Sequence, residues 1–239
     1  VPAENQHQLA DFTVLPGLSL AWLRADGAIE ERQPSDYNFT AVLHIYLVVP
    51  ALKDHAVFIQ TNHKQIVGAL VAEYALKRNS QHSDEFDVQI VEMRDYPFFA
   101  RHEGDLYLRD GVKRPWLNDD LQSFTPTRFL PPELMGYQGR AVVIDPDIFA
   151  VADVWELLAR DMEGKAIMCR RRHLTKGVVD RCFASSVMLL DCAKLTHWKV
   201  EEAFEEMFTF KRDYMPWICL KMEDRDSIGL FEPEWNDFD

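Results

Sequence analysis

A chain of 239 residues with 47% hydrophobic content is long enough for one large α/β domain or two small ones, and its apolar share is ordinary for a soluble globular protein. With 26 Lys and Arg against 39 Asp and Glu, the formal net charge of -13 argues against a nucleic-acid backbone or an anionic membrane as main partner, because both reward a basic surface. The longest early apolar stretch, residues 41–52, is interrupted by His44 and too short to span a bilayer, and no signal-peptide pattern opens the sequence.

Residues 18–23 have strand character, and Ala25-Asp26-Gly27 reads as a hairpin turn leading to Ile29. Residues 35–38 are a polar break, and 39–49 read as a further strand ended by Pro50. Asn38-Phe39-Thr40 matches a glycosylation sequon, a triplet common by chance. The expected division is an edge element or cap over residues 1–55 and a main domain over 56–239.

From residue 56 the pattern sharpens. Residues 56–60 form a compact apolar strand, followed by the polar turn Thr61-Asn62-His63. Ile66, Val67, Leu70, Val71, Tyr74 and Leu76 recur at mostly helical spacing, the apolar stripe of an amphipathic helix. Lys77-Arg78-Asn79 closes that helix with the basic end its dipole prefers. Residues 88–91 read as the next strand, giving the strand–helix–strand opening of a nucleotide-binding α/β half. Residues 96–118, rich in charge and aromatics, read as a long loop with room for a short helix. Tyr107 and Trp116 there either line a site or pack locally, and local packing is the favoured reading. Residues 125–135 lead into the central strand, and Leu130-Pro131-Pro132 allows a helix to end or restart.

The central run, residues 141–144, reads as a strand buried on both faces of a parallel sheet. It ends in Asp145-Pro146-Asp147, since Pro146 cannot donate to a sheet ladder. Residues two apart in an extended chain point the same way, so Asp145 and Asp147 are expected to aim at one point beyond the strand. Open α/β sheets place their ligands there. Two hard oxygen donors suit Mg²⁺ or Mn²⁺, and with it a diphosphate.

Asp153 reads as a helix N-cap with Glu156 as its capping-box partner, a structural role. Residues 166–169 and 184–190 read as strands. Arg170-Arg171-Arg172-His173 between them either faces phosphates or forms a solvated strand end or loop. Asp191, at the end of the second strand, belongs to a site or caps the next helix, and Asp213 is a weaker acidic candidate. Residues 192–208 are amphipathic, with Glu201, Glu202, Glu205 and Glu206 on a solvated face, and 210–239 show no clean period. The four cysteines (Cys169, Cys182, Cys192, Cys219) lie in or beside apolar segments without CxxC spacing. They read as buried free thiols of a reducing compartment, and with no leader or spanning segment the expected location is the cytoplasm.

In order along the chain, several segments resemble glycosyltransferase family eight, the group of glycogenin and the lipopolysaccharide galactosyltransferases. They are residues 57–62 (a first strand and nucleotide loop), 127–134 (an arginine-bearing helix), 144–147 with 153–157 (a metal motif and its following helix), 185–191 (a strand beside the donor sugar) and 233–236 (a Trp-Asn element). The resemblance covers about residues 56–239 and implies the GT-A fold, a mostly parallel sheet flanked by helices. It implies a hexosyltransferase using a nucleotide-sugar donor, uridine-linked, with retention at the sugar and an acceptor it does not identify. Mn²⁺ or Mg²⁺ held by Asp145 and Asp147 would bridge the donor diphosphate. Gln60, Thr61 and Asn62 would sit near base and ribose, Arg128 near the diphosphate or sugar, and Ser185 and Ser186 near the sugar ring. Asp191 and Arg128 are the two residues it offers for the chemistry itself. Where the family has Asn-Ser-Gly, this chain has Ala184-Ser185-Ser186. The family's later His-x-x-Gly-x-x-Lys-Pro-Trp segment, source of a third metal ligand, is missing before Asp239. That leaves a truncated chain, a substitute group or weakened donor chemistry.

Two other readings stand beside this one. A sugar nucleotidyltransferase needs a Gly-rich basic loop after the first strand, and Thr61-Asn62-His63-Lys64-Gln65 has one lysine and no glycine. A non-catalytic module that kept the scaffold would explain the missing segment and Ala184.

Overall fold

The computed structural model describes residues 20–23, 29–32, 52–171 and 182–237. The chain divides into two compact units, Val1–Val49 and Pro50–Asp239. In the first, β1 (Leu20–Leu23) and β2 (Ile29–Arg32) pair antiparallel with Leu23 opposite Ile29. The turn expected at Ala25-Asp26-Gly27, the break at 35–38 and the strand at 39–49 lie outside the described residues, as do Arg172 and His173.

The second unit opens with β3 (His55–Thr61), α1 (Ile66–Asn79) and β4 (Asp87–Glu92), the strand–helix–strand unit read from the sequence. Then follow the hairpin β5 (Leu106–Arg109) and β6 (Val112–Pro115), the short helix α2 (Pro131–Leu134), β7 (Arg140–Ile144) and α3 (Trp155–Leu158). The chain continues through β8 (Ile167–Arg171), β9 (Phe183–Asp191), α4 (Val200–Phe208), α5 (Tyr214–Ile218) and β10 (Ile228–Leu230). One six-stranded sheet has the order β10-β8-β9-β7-β3-β4. Five of its strands run one way and β9 alone runs against them. Residues 56–59 and 141–143 are fully buried, as strands covered on both faces must be.

The stripe expected on α1 is on the wrong side. Val67, Leu70, Val71 and Tyr74 are 49–70% exposed, and the buried residues are Ala69, Ala72 and Leu76. The reason is close approach: a β-carbon at Gly68 would collide with the carbonyl oxygen of Pro146. Only small side chains fit where the helix lies so near the sheet, so the bulky ones turn outward.

Residues 96–118 do hold a short helix, the 3-10 turn Pro97–His102, but beyond it they form the β5–β6 hairpin rather than a loop. Its turn is Asp110-Gly111, with φ of 54° and 72°. A two-residue hairpin loop with both φ positive favours Asp-Gly, so the signal stood in the sequence. Tyr107 and Trp116 are buried, edge-on to each other at 5.5 Å, and Trp116 meets Phe204 at 5.1 Å. They pack locally.

The cysteines need a correction. Cys182 and Cys219 form a disulfide across 37 residues, so only Cys169 and Cys192 are free, and burial pushes both thiols up to about 12. The inference from free thiols to a reducing compartment does not apply to the bonded pair. Among the described residues no helix is long and apolar enough to cross a membrane.

Candidate functional site

The sheet order locates a crevice before any side chain is considered. From β3 the chain crosses through α1 to β4 on one side, and it later returns to β7 on the other. Neighbouring connections diverge at the carboxyl ends of β3 and β7, and open α/β sheets bind ligands at such a switch point. Asn62 and the Asp145–Ile148 turn stand there.

Beyond Ile144 the backbone does not stay extended. Ile148 N donates to the Asp145 carbonyl at 3.2 Å, closing a turn, while Asp145 N donates to the Ser186 carbonyl at 3.1 Å. Asp145 therefore points inward at 8% exposure, and Asp147 is exposed. Burial pushes the Asp145 carboxyl above its ordinary value; Arg128 opposes that shift and the nearby Asp147 charge adds to it.

Arg128 rises from the helical turn Thr125–Phe129 and grips Asp145 with a planar fork. Its Nε donates to Asp145 Oδ1 at 2.8 Å and its Nη2 to Asp145 Oδ2. Its Nη1 donates to Ser185 Oγ at 2.8 Å, and Ser185 Oγ donates to the Ile218 carbonyl at 2.6 Å. A polar chain thus runs from β7 through Arg128 and β9 to α5. On the neighbouring residue, Ser186 Oγ accepts from Asn236 Nδ2 at 3.1 Å, which brings the Trp235-Asn236 element to the same edge.

The other expected residues fare unevenly. Asn62 is buried, and its amide Nδ2 donates to the Asp120 and Leu121 carbonyls at 3.2 Å each, while its Oδ1 accepts from Lys64 N. It clamps two loops together. Thr61 Oγ1 donates to the Asn62 carbonyl at 3.0 Å. Gln60 is 0% exposed with both side-chain polar atoms unpartnered, and it lines none of the cavities described below. Asp191 is not brought into the site. Because β9 runs antiparallel, Asp191 pairs with Arg140 at the start of β7, whereas Val187 pairs with Ile144. At 3.2–3.4 Å per residue that is roughly 13 Å away along the strand. Asp191 instead pairs with Lys194 Nζ at 2.9 Å.

Arg170 Nη1 donates to the Asn236 carbonyl, a structural tie rather than a phosphate-facing group. Asp213 accepts from Asp110 N at 2.9 Å, Gly111 N at 2.6 Å and Met215 N at 3.0 Å, so it pins the hairpin turn to the start of α5. Asp153 Oδ1 accepts from Trp155 N at 2.9 Å and its Oδ2 from Gln81 N at 2.9 Å, a structural role as expected, but it stands one residue before the N-cap, which is Val154.

Two cavities flank the turn. One, of about 500 Å³, opens past the ends of β3 and β4 and is lined by Asn62, His63, Glu92, Tyr96 and Asn118 among others. Glu92 Oε1 is buried there without a partner. An acidic residue ending the second strand was a readable signal, because that position meets a ribose hydroxyl in dinucleotide folds. The other, of about 290 Å³, lies between β9 and α5 and is lined by Arg109, Arg128, Phe183, Ser185, Tyr214 and the disulfide. Among the described residues no three His, Cys, Asp or Glu side chains converge as a ready metal cluster.

No family model matches the sequence, and no curated protein matches it. Solved structures do. The galactosyltransferase LgtC, solved with donor and acceptor sugar analogs, aligns over 75% of this chain and 73% of its own, at 11% identity and a TM-score of 0.51. The bifunctional glycosyltransferase WbbM aligns over 78% of this chain and 40% of its own, at 12% identity and a TM-score of 0.51. GlyE of Streptococcus pneumoniae TIGR4 aligns at 15% identity and a TM-score of 0.49, and the chain spans 46% of its length. With its single reversed strand and helices on the sheet, the Pro50–Asp239 unit has the GT-A fold on which these glycosyltransferases are built.

Proposed function

We propose that the chain transfers a sugar from a nucleotide-sugar donor, uridine-linked, to an acceptor, with the Asp145–Ile148 turn at the centre of the site. The observation that carries this reading is the meeting of Asp145, Arg128 and the Ser185-Ser186 hydroxyls at the switch point, with the exposed Asp147 two residues on and near enough for its charge to act on Asp145. The nucleotide would occupy the cavity past β3 and β4, where the unpartnered Glu92 oxygen can accept from a ribose hydroxyl. The sugar would lie toward Ser185 and Ser186. Retention at the sugar is what the family resemblance adds.

The residues fit Mn²⁺ or Mg²⁺ as part of a ligand set. Each Asp145 oxygen takes one guanidinium hydrogen bond and keeps a lone pair, and Asp147 makes no ion pair with any described residue. Such a cation, when bound, neutralises charge developing on the leaving diphosphate, and it tolerates a coordination sphere completed by phosphate and water. Arg128 holds Asp145 in place through its planar fork, which fixes where that carboxylate can meet a cation. Desolvation behind the turn strengthens both interactions.

Asp147→Asn tests this reading. Asp147 is exposed, so the fold should persist while Mn²⁺-dependent affinity for UDP falls about tenfold or more by calorimetry. Unchanged Mn²⁺–UDP affinity would sink the assignment. The full engagement of Asp145 by Arg128 favours a second reading, a nucleotide-binding module on the same scaffold without transfer. Intact UDP binding with no UDP released from any UDP-sugar would select it.

A further inference from the structure

The cavity between β9 and α5 is electrostatically unlike its surroundings. In a chain with 39 acidic residues, none of the described residues lining it is Asp or Glu. The cavity past β3 and β4, by contrast, is lined by three acidic residues, Glu92, Glu103 and Asp119, with Arg94 and His63 beside Asp119. Two guanidinium groups face the β9–α5 cavity, and they are not equivalent. Arg128 is neutralised by Asp145. Arg109 makes no ion pair with any described residue: its Nη2 donates to the neutral Gln122 Oε1 at 3.0 Å, and its guanidinium lies over the Tyr214 ring at 4.9 Å.

Those two contacts orient the Arg109 fork, and Asp120, which borders the adjoining cavity with it, favours the charged form without making an ion pair. The rim adds to the field: the Arg225 and Arg171 guanidiniums lie 5.2 Å and 6.0 Å from the centre of the Phe183 ring, which lines the cavity. The remaining lining matches a sugar, with Thr125, Ser185 and Ser186 hydroxyls for its own hydroxyls and an aromatic wall for its apolar face. A volume of about 290 Å³ holds little more than one ring. With a net charge of -13, the protein as a whole repels anions, so only a local uncompensated cation can hold one.

We propose that this cavity binds an acidic sugar and that Arg109 receives its carboxylate as a bidentate partner. The inference deepens the sugar-transfer reading and rests on it for the direction of transfer, but not for the binding itself. The carboxylate could arrive on the donor sugar or on the acceptor, and the two sources are separable.

The experiment measures, by calorimetry on the full chain, methyl glucuronide against methyl glucoside and, with Mn²⁺, UDP-glucuronate against UDP-glucose and UDP. In one arm the acidic ligand should bind about tenfold more tightly than its neutral twin, the scale of one charged hydrogen-bonding contact. Preference among the free glycosides marks the acceptor, and preference among the UDP-sugars marks the donor. Arg109→Gln should erase the preference and leave UDP affinity unchanged. Arg109→Lys, which keeps the charge and loses the fork, should retain part of it. Equal affinity for acidic and neutral sugars in both arms overturns the proposal, as does a preference that survives Arg109→Gln. Failure of the wild type to bind UDP, with an Arg109-dependent glucuronide preference intact, would remove the transfer reading and leave this one standing.

Discussion

The parallel strands β3, β4 and β7 and the reversed strand β9 reach the site by different physics. The parallel strands deliver their site groups at carboxyl ends, through turns closed by backbone hydrogen bonds a few residues apart. β9 delivers Ser185 and Ser186 from its amino end, and distant chain holds them there. Arg128 lies 57 residues before Ser185, the Ile218 carbonyl 33 residues after it, and Asn236 50 residues after Ser186. The Cys182–Cys219 bond adds a covalent tie at the same point. Local turns set the backbone of one half, even though Asn62 also clamps residues 120 and 121, while long-range cross-links hold the other, so the halves should fail separately.

The largest effect should come from cutting the link between them. Arg128→Met leaves the Asp145 carboxylate buried without its partner, and losing one member of a buried pair costs about 3–5 kcal/mol. The expected fall in Tm is about 10 °C. Adding Asp145→Asn should recover much of it, because the uncompensated charge then disappears. A double variant no more stable than Arg128→Met would mean that Arg128 acts through packing rather than charge.

Replacing Cys182 and Cys219 with serine comes next. Closing a loop of 37 residues stabilises by about 3–4 kcal/mol on the chain-entropy account. The loss should be regional. Amide exchange should accelerate across residues 183–190 of β9 and around α5, with β3 and β4 little changed. Uniform acceleration across all six strands would erase the distinction between the halves.

The smallest effect lies in the parallel half. Burial, then the nearby Arg140, lowers the His55 pKa below its ordinary value. A histidine with a depressed folded pKa binds more protons when unfolded, so its stabilising contribution is full above about pH 6.5 and is lost as pH falls through the folded value. The urea midpoint should fall between pH 7.5 and 5, and His55→Gln should flatten that slope modestly. Equal slopes for the two proteins would exclude His55 as the source.

The same contrast decides what could be read in the sequence. Strands of apolar runs and the α1 span announce themselves through local composition and stand where expected, whereas the two carboxylates after β7 do not share one direction, because the turn sends Asp145 inward and leaves Asp147 exposed. The side of α1 that is buried was not legible, because it depends on how closely the helix approaches Pro146. The direction of β9 was not legible either. That direction moves Asp191 to the far end of the sheet while bringing Ser186 beside Asp145. The Cys182–Cys219 pairing is a fact of tertiary proximity, as is the neutral Gln122 partner of Arg109. Only the Asp110-Gly111 turn and the Glu92 strand end were local signals that went unused.

Gly68 carries a consequence for motion. In an exposed helix interior, alanine is favoured over glycine by about 1 kcal/mol, yet here even a methyl group has no room beneath the Pro146 carbonyl. The helix is a mechanical stop under the turn that holds both carboxylates. That turn therefore has no room to move inward, and any displacement of it has to be away from the helix, against the Asp145–Ser186 and Arg128–Asp145 bonds.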